Sequence, residues 1–310
     1  MTCRFRKLCS VLCLAVLAVS ASRAFAADET FTRSEDVIYG RKFGTALTLD
    51  VLTPKENANG AAIVWVISGG WYSNHDSIQP AFVGEYLKRG YTVFAVVHGS
   101  QPKFSIPEVL EDMHRSVRFI RSRAEQYKID PDRIGITGGS AGGHLSLMQG
   151  TTGADGKPDA KDPIDRVSSR VQAVACFFPP TDFLNYGKPG EIALGNGVLK
   201  DFRAPFDFKE FDSTIRAFVT ITDENKRLEI GKAISPVYQV TADDAPALII
   251  HGDADLLVPI QQAEIIIARF KEVNVPCELV VKPGAVHGWA GMDKDLLTMA
   301  DWFDKYLAKK

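Results

Sequence analysis

A serine within a glycine-rich run carries the strongest chemical signal in the sequence. Ser140 lies in Gly138-Gly139-Ser140-Ala141-Gly142-Gly143, between a short β-rich run at 133–137 and a helical stretch that begins near His144. A sharp turn from strand to helix exposes a serine hydroxyl above a sheet, and small neighbours avoid steric clashes there. The helix N-terminus also directs N–H groups towards developing negative charge. We therefore predict that Ser140 is the nucleophile of an acyl-transfer reaction; the alternative is a glycine-rich turn without a catalytic role.

A serine nucleophile needs a general base, and His287 is the predicted one. It lies in Gly284-Ala285-Val286-His287-Gly288-Trp289, a glycine-flanked loop that follows a short β-rich run. Such a position differs from the apolar helix face that is typical of a histidine buried in a core. In a fold of alternating strands and helices, the expected order along the chain is serine, then aspartate or glutamate, then histidine. The position of His287 after Ser140 agrees with this order.

Three aspartates compete for the role of the acid that orients the base. Asp253 and Asp255 both follow the β-rich run at 247–251, and Asp182 follows the run at 171–178. Asp253 directly ends its strand, where capping of a turn is a sufficient explanation. A helix N-cap is the predicted role of Asp182. We therefore assign Asp255, which lies deeper in its loop.

Backbone N–H groups must stabilise the negative charge of a tetrahedral intermediate, and losing one such donor typically costs about 10²–10³ in rate. The segment Ser68-Gly69-Gly70-Trp71-Tyr72-Ser73 follows the first buried strand, where such donors belong. Glycine lets the backbone approach a substrate closely. We predict an oxyanion hole with three donors, the N–H groups of Gly69, Gly70 and Ala141; taken alone, the segment could also be an ordinary turn.

The elements that position these residues alternate between strands and helices. An early strand at 45–52 is partly alternating, whereas six later runs are short, rich in β-formers and poor in charge, as buried parallel strands are. These runs are 61–67, 91–97, 133–137, 171–178, 247–251 and 277–281. The clearest helix begins at Ser105, with Glu108 completing a capping box, and others are predicted at 259–273 and around 296–307. The pattern predicts an α/β fold, a doubly wound, mostly parallel sheet of about eight strands.

The chain divides into a leader and a single domain. Basic residues precede an apolar run at 8–19, and Ala24-Phe25-Ala26 supplies a cleavage site, so 1–26 is a predicted signal peptide and the protein is predicted to be secreted or periplasmic. An uncleaved membrane anchor is the alternative, but the run is shorter than the roughly 20 residues needed to span a bilayer. Residues 27–310 form one predicted domain with a cap-like insertion around 184–235; the alternative for that segment is a disordered surface insert.

Composition and charge argue against nucleic-acid binding and against a framework of disulfide bonds. Four of the 36 basic residues lie in the leader, which leaves 32 against 38 acidic residues, a formal net charge of −6 without a basic patch for nucleic acid. Cys176 and Cys277 are predicted to be two buried free thiols.

The histidines other than His287 have no predicted chemical role. His75, His98 and His114 lack a metal-like spacing. His144 is expected to pack under the serine, and His75 and His98 are candidates for the wall of a substrate pocket.

Together these residues resemble the esterase and lipase side of the α/β-hydrolase superfamily. The segment 68–73 is similar to the glycine-rich oxyanion motif of carboxylesterases, with serine in place of its first glycine. The run 129–134 leading into the serine motif, and His251-Gly252-Asp253-Ala254-Asp255 with Val258-Pro259, are similar to bacterial feruloyl or acetylxylan esterase-like proteins. In that family the later aspartate is the triad acid, which supports Asp255.

This resemblance implies an α/β-hydrolase fold and a secreted serine carboxylic-ester hydrolase. The expected substrate is a short-chain or carbohydrate-linked ester, acetyl or feruloyl, either a small molecule or attached to a polysaccharide. No cofactor, metal ion, nucleic acid or membrane is expected to take part, and the sequence carries no signal for oligomeric state. Prolyl oligopeptidases and kynurenine formamidases share parts of these motifs, so peptide or amide hydrolysis is an alternative. A non-catalytic binding protein on the same scaffold is another, although such proteins typically lose a triad member.

Overall fold

The structure is a computed structural model, and it describes residues 30–309. The predicted signal peptide, 1–26, lies outside the described residues. Within the described part, no helix has both the length and the apolar character needed to cross a membrane.

Eight strands form the central sheet, in the order β1-β2-β4-β3-β5-β6-β9-β10. The pairs β1-β2 and β2-β4 are antiparallel and the remaining pairs are parallel. A separate antiparallel hairpin contains β7 and β8. The strands are β1 Phe31–Lys42, β2 Thr45–Pro54, β3 Ala62–Ile67, β4 Thr92–Val97, β5 Ile134–Gly139, β6 Ala173–Phe177, β7 Lys209–Asp212, β8 Ala217–Thr220, β9 Ala247–Gly252 and β10 Cys277–Lys282.

Helices follow most of the parallel strands. They are α1 Gly84–Lys88, α2 Ile106–Ser122, α3 Ala124–Tyr127, α4 Ala141–Thr152, α5 Glu224–Ala233, α6 Gln261–Glu272 and α7 Met292–Tyr306. The predicted capping box at the start of α2 is present, because Glu108 Oε2 accepts a hydrogen bond from the backbone N–H of Ser105 at 2.8 Å. The helices predicted at 259–273 and around 296–307 correspond to α6 and α7.

The sheet separates two hydrophobic cores. On one face Val109 of α2, Leu145 of α4 and Ile266 of α6 are buried against it. On the other face Leu87 of α1 and Phe303 of α7 are buried. Each fully buried side chain of this size contributes about 1.5–3 kcal/mol relative to exposure. The prediction of a doubly wound, mostly parallel sheet of about eight strands is confirmed.

Both edges of the sheet depart from the sequence-based expectation. Strand β1 was not predicted, because it lies at an edge and many of its side chains are polar and exposed. At the other edge, Cys277 in β10 is only partly buried, so the prediction of two buried thiols is wrong for Cys277 and right for Cys176. Both cysteines are free.

The segment predicted as a cap, 184–235, contains the hairpin β7-β8 and α5. It is ordered against the domain: Phe206 is buried, and its ring lies 5.3 Å from that of Trp71, edge to face. Phe202 contributes to the cavity that contains Ser140. A cap role for this segment stays a prediction.

Candidate active site

Ser140 lies in the sharp turn between β5 and α4, as predicted. Its φ of 54° and ψ of −120° lie outside the regions that non-glycine residues ordinarily adopt. The surrounding backbone holds it there: the N–H of Ser140 donates to Phe177 O at 3.0 Å, and the N–H of His144 donates to Ser140 O at 2.9 Å. The hydroxyl is thereby presented at the carboxyl end of the parallel strands.

The neighbouring glycines are required by close backbone approach. A Cβ atom at Gly138 would lie 2.6 Å from the carbonyl carbon of Gly142, and one at Gly143 would lie 2.7 Å from Phe177 O. Real Cβ atoms essentially never approach backbone so closely. The turn therefore admits no side chain at either position without moving the backbone that holds Ser140.

The three predicted triad side chains meet at this turn. His287 Nε2 lies 2.9 Å from Ser140 Oγ, and His287 Nδ1 lies 2.6 Å from Asp255 Oδ2. Because an ionised carboxylate only accepts hydrogen bonds, Nδ1 of His287 carries the hydrogen and Nε2 of the neutral ring faces the serine with a lone pair. This tautomer can accept the proton of the Ser140 hydroxyl.

Asp255 is buried, and its surroundings favour the ionised form. Burial by itself opposes ionisation, but His251, His287 and the N–H of Val258 outweigh it, so the pKa of Asp255 lies well below its usual value. The other carboxylate oxygen, Oδ1, accepts from the N–H groups of Leu257 and Val258, each at 2.9 Å. A fixed negative charge therefore faces the ring of His287.

The competing aspartates have other partners. Asp253 Oδ1 accepts from the N–H of Gly284 at 2.6 Å, which joins its loop to the start of the loop that carries His287. Asp182 Oδ1 accepts from the N–H groups of Leu184 and Asn185 at 2.8 and 3.1 Å. No helix begins there, so the predicted N-cap role of Asp182 is wrong; its carboxylate caps a turn instead.

The predicted oxyanion segment forms a tight two-residue turn, and this removes one of the three predicted donors. Gly69 and Tyr72 exchange backbone hydrogen bonds, N–H of each to O of the other, both at 2.9 Å. Gly70 and Trp71 between them have φ of 55° and 58°, as the central residues of a type I′ turn do. The N–H of Gly69 is therefore engaged within the turn. The N–H of Gly70 is not used by this bond pair, and Ala141 is the first residue of α4, whose N–H has no partner within the helix.

Two consecutive buried hydrogen bonds connect this turn, residues 68–73, through His144 to the residue that ends α5. The indole N–H of Trp71 donates to His144 Nδ1 at 3.1 Å, and His144 Nε2 donates to Ile234 O at 2.7 Å. Burial lowers the pKa of His144 to about 4, so the ring stays neutral and keeps Nδ1 as an acceptor. The sequence predicts that His144 packs under the serine, but no sequence pattern indicates its hydrogen bond to Trp71.

A cavity of about 590 Å³ opens beside Ser140 and His287. Its walls are mainly apolar and aromatic, formed by residues that include Trp65, Phe82, Phe177, Phe178, Phe202 and Met292. The expectation that His75 and His98 form part of the wall is wrong. His98 is buried behind the wall residue Ser68, and His75 Nε2 faces Asp50 Oδ1 at 3.2 Å.

One set of side chains in the described part of the chain has a metal-like arrangement. Glu35, Asp50 and His75 bring potential ligand atoms within 4.8 Å of one another. The guanidinium of Arg33 already binds Asp50 Oδ2, at 2.7 Å from Nε and 2.6 Å from the terminal nitrogen. The carboxylate of Asp50, which would attract a metal ion, is therefore already paired with a cationic side chain.

The chain is similar in sequence to curated bacterial ester hydrolases. The curated relatives include the probable carboxylic ester hydrolase LipM of Mycobacterium tuberculosis, 27% identical over 248 residues, which are 79% of this chain and 53% of LipM. Esterase LipC of the same organism is 27% identical over 83% of this chain and 60% of its own length. The chain thus spans about half to three fifths of the length of these relatives.

Solved structures agree on the fold. A truncated carbohydrate esterase from gut microbiota has a TM-score of 0.72 and 27% identity, covering 91% of this chain and 99% of that one. A butyrate-bound esterase of Thermogutta terrifontis has a TM-score of 0.67 and 24% identity, covering 89% and 96%. The BD-FAE family model matches residues 49–270, which include Ser140 and Asp255. The chain therefore belongs to the BD-FAE family and has the α/β-hydrolase fold.

Proposed function

We propose that this protein is a serine carboxylic-ester hydrolase that acts through an acyl-enzyme intermediate. The observation that carries the proposal is the continuous line of hydrogen-bonded atoms from Asp255 through His287 to the hydroxyl of Ser140. The names of the relatives, which are esterases and ester hydrolases, support the same reaction.

In this mechanism His287 Nε2 takes the proton of Ser140 while Oγ attacks the ester carbonyl. The N–H groups of Gly70 and Ala141 stabilise the resulting oxyanion. His287 then gives the proton to the leaving alcohol, and the acyl group stays on Ser140. A water molecule, deprotonated by His287, attacks the acyl-enzyme, and release of the carboxylic acid returns the proton to Ser140. Asp255 orients His287 and stabilises its protonated form.

We propose short-chain or carbohydrate-linked esters, acetyl or feruloyl, as the substrates. A carbohydrate esterase is among the similar structures, which supports a sugar-linked alcohol. The aromatic walls and the volume of about 590 Å³ leave room for an acyl group as large as a feruloyl group as well as for acetyl.

The reaction is tested with Ser140→Ala and a p-nitrophenyl acetate assay. We expect loss of hydrolysis with unchanged circular dichroism, and full activity of the variant would refute the proposal. Labelling by a fluorophosphonate probe provides a second measurement. A wild-type protein that reacts at Ser140 is an active serine hydrolase, whereas absence of labelling would favour a binding protein without catalysis.

Export is also proposed, and it depends on residues 1–26. Their order of basic, apolar and small residues is that of a cleavable secretory signal. Expression of the full chain in a bacterial host should yield a product that begins at Ala27, as determined by mass spectrometry of the periplasmic or extracellular fraction. A product that retains residue 1 in the cell pellet would contradict this.

A further inference from the structure

A second serine and histidine pair adjoins the active-site cavity. Ser68 follows β3 and His98 follows β4, and these strands are parallel neighbours with Ile67 opposite Val97. Ser68 Oγ lies 2.9 Å from His98 Nε2. Ser68 is partly exposed and lines the same cavity as Ser140, whereas His98 is buried at 2% exposure.

The direction of this hydrogen bond follows from the other ring nitrogen. His98 Nδ1 lies 2.8 Å from Gly99 O, and because a carbonyl oxygen only accepts, Nδ1 carries the hydrogen. Burial, assisted by the charge of Lys42, lowers the pKa of His98 to about 4. The ring is therefore neutral at neutral pH, Nε2 has no hydrogen, and the hydroxyl of Ser68 must be the donor.

This direction restricts what Ser68 offers to a substrate. Its single hydrogen is committed to His98, so Oγ presents only lone pairs to the cavity. A lone pair repels an oxyanion and an ester carbonyl oxygen, so Ser68 does not supply the donor that is lost at Gly69. Ser68 Oγ can instead accept a hydrogen bond from a donor on the substrate. A neutral ester provides such a donor when it carries a free hydroxyl group.

We infer that Ser68 Oγ accepts a hydrogen bond from a hydroxyl group of the substrate and thereby selects esters that carry a free hydroxyl close to the scissile bond. This inference rests on the proposed ester hydrolysis. Sugars that are only partly acylated present such hydroxyls next to the ester, whereas simple alkyl esters and fully acylated sugars do not. Ser68 is thus a specificity-determining residue for the alcohol side of the substrate.

The test compares two esters that differ only in these hydroxyls. One is methyl 3-O-acetyl-β-xylopyranoside, and the other is its 2,4-dideoxy analogue, which lacks the neighbouring hydroxyls without added bulk. We expect the wild type to prefer the first in kcat/KM. Ser68→Ala should reduce that preference about five- to tenfold, the effect of one hydrogen bond. Ser68→Thr keeps a hydroxyl and should retain most of the preference.

Ser77→Ala is the matched control. Ser77 also borders the cavity and donates its hydroxyl hydrogen to Asn74 Oδ1 at 3.0 Å, but it is exposed, so water competes for its lone pairs. Its replacement should therefore change the preference less than twofold. An equal loss on both esters in Ser68→Ala would mean that Ser68 only supports the turn, and it would overturn the inference. A preference that is absent in the wild type or unchanged in Ser68→Ala would also overturn it. A wild-type protein inactive on both esters and on p-nitrophenyl acetate would defeat the proposed function itself.

Discussion

The indole nitrogen of Trp71 lies 3.1 Å from Nδ1 of His144, and this hydrogen bond joins the turn that carries Gly70 to the helix that begins beside Ser140. Both side chains are buried, at 2% and 0% exposure. The two parts of the site that must act on the same carbonyl group, nucleophile and oxyanion donor, are therefore fixed to each other through one bond between side chains.

Trp71→Phe should weaken that connection. Phenylalanine keeps much of the ring packing but removes the donor, which leaves Nδ1 of buried His144 unpaired at a cost of about 1–3 kcal/mol. We expect urea denaturation to show this loss, and kcat for p-nitrophenyl acetate to fall about tenfold. Trp302→Phe is the control, because the buried indole N–H of Trp302 has no hydrogen-bond partner within the described residues. Equal effects of the two variants would contradict a specific role for the Trp71 bond.

Gly138→Ala should disrupt the turn around Ser140. The added Cβ would lie 2.6 Å from backbone of Gly142, and relief requires the backbone on one side to move. We expect a loss of stability of about 1–3 kcal/mol, as for overpacking elsewhere, together with a large loss of kcat. Gly84→Ala is the comparison, since a Cβ there meets nothing within 4 Å and φ is −56°. A Gly138→Ala protein with wild-type activity would show that the turn tolerates the side chain.

Asp255→Asn should lower kcat by about 10³–10⁴ by favouring the wrong tautomer of His287. Because the pKa of Asp255 is lower in the folded than in the unfolded protein, its ionisation contributes stability above the unfolded pKa of about 3.9. That contribution is lost as pH falls through the folded pKa. Urea denaturation at pH 7 and pH 3 should therefore show a smaller difference between wild type and variant at the lower pH. A difference that grows on acidification would contradict this sign.

Two buried histidines, His98 and His144, and the partly buried His114 should make the fold sensitive to mild acid. Burial lowers the pKa of His98, His114 and His144 from 6.5 to about 4. Between these values the unfolded chain binds protons that the folded chain does not, so stability is fully present above about pH 6.5 and falls as pH decreases towards 4.

His114→Gln tests this acid sensitivity, because His114 lies away from Ser140 and bonds to Ser169 at 3.1 Å. Removing one titrating group should reduce the slope of unfolding free energy against pH by up to about 1.4 kcal/mol per pH unit. The measurement is chemical denaturation at several pH values between about 6 and 4.5. An unchanged slope would show that His114 is not among the groups that take up protons on unfolding.

The sequence predicted the parts of this protein that depend on local pattern. Five of the six charge-poor runs corresponded to buried strands, whereas 277–281 corresponded to the partly exposed edge strand β10. Ser140, Asp255 and His287 follow β5, β9 and β10, so they lie in loops at the carboxyl ends of parallel strands. Strand β1 was not predicted because an exposed edge strand has little apolar character. Asp182 was misassigned because a capped turn and a helix N-cap share the same aspartate signal.

The supporting contacts could not be read from the sequence because they join distant segments. Trp71 and His144 are 73 positions apart, and Ser68 and His98 are 30 apart. No periodicity relates such pairs; their meeting depends on the order of strands in the sheet. The hydrogen bond of the Gly69 N–H likewise depends on the type of turn that residues 69–72 adopt. That turn type requires positive φ at Trp71, and because tryptophan rarely adopts positive φ, the sequence does not predict it.

That conformation of Trp71 has a consequence for engineering. Turn statistics would recommend glycine at position 71, because φ there is 58° and glycine relieves the backbone at no steric cost. The same exchange would delete the indole, with its bond to His144 and its packing against Phe206. A stabilisation campaign guided by backbone preference should therefore leave this position unchanged, since here an unfavourable dihedral angle is retained for the side chain that it delivers.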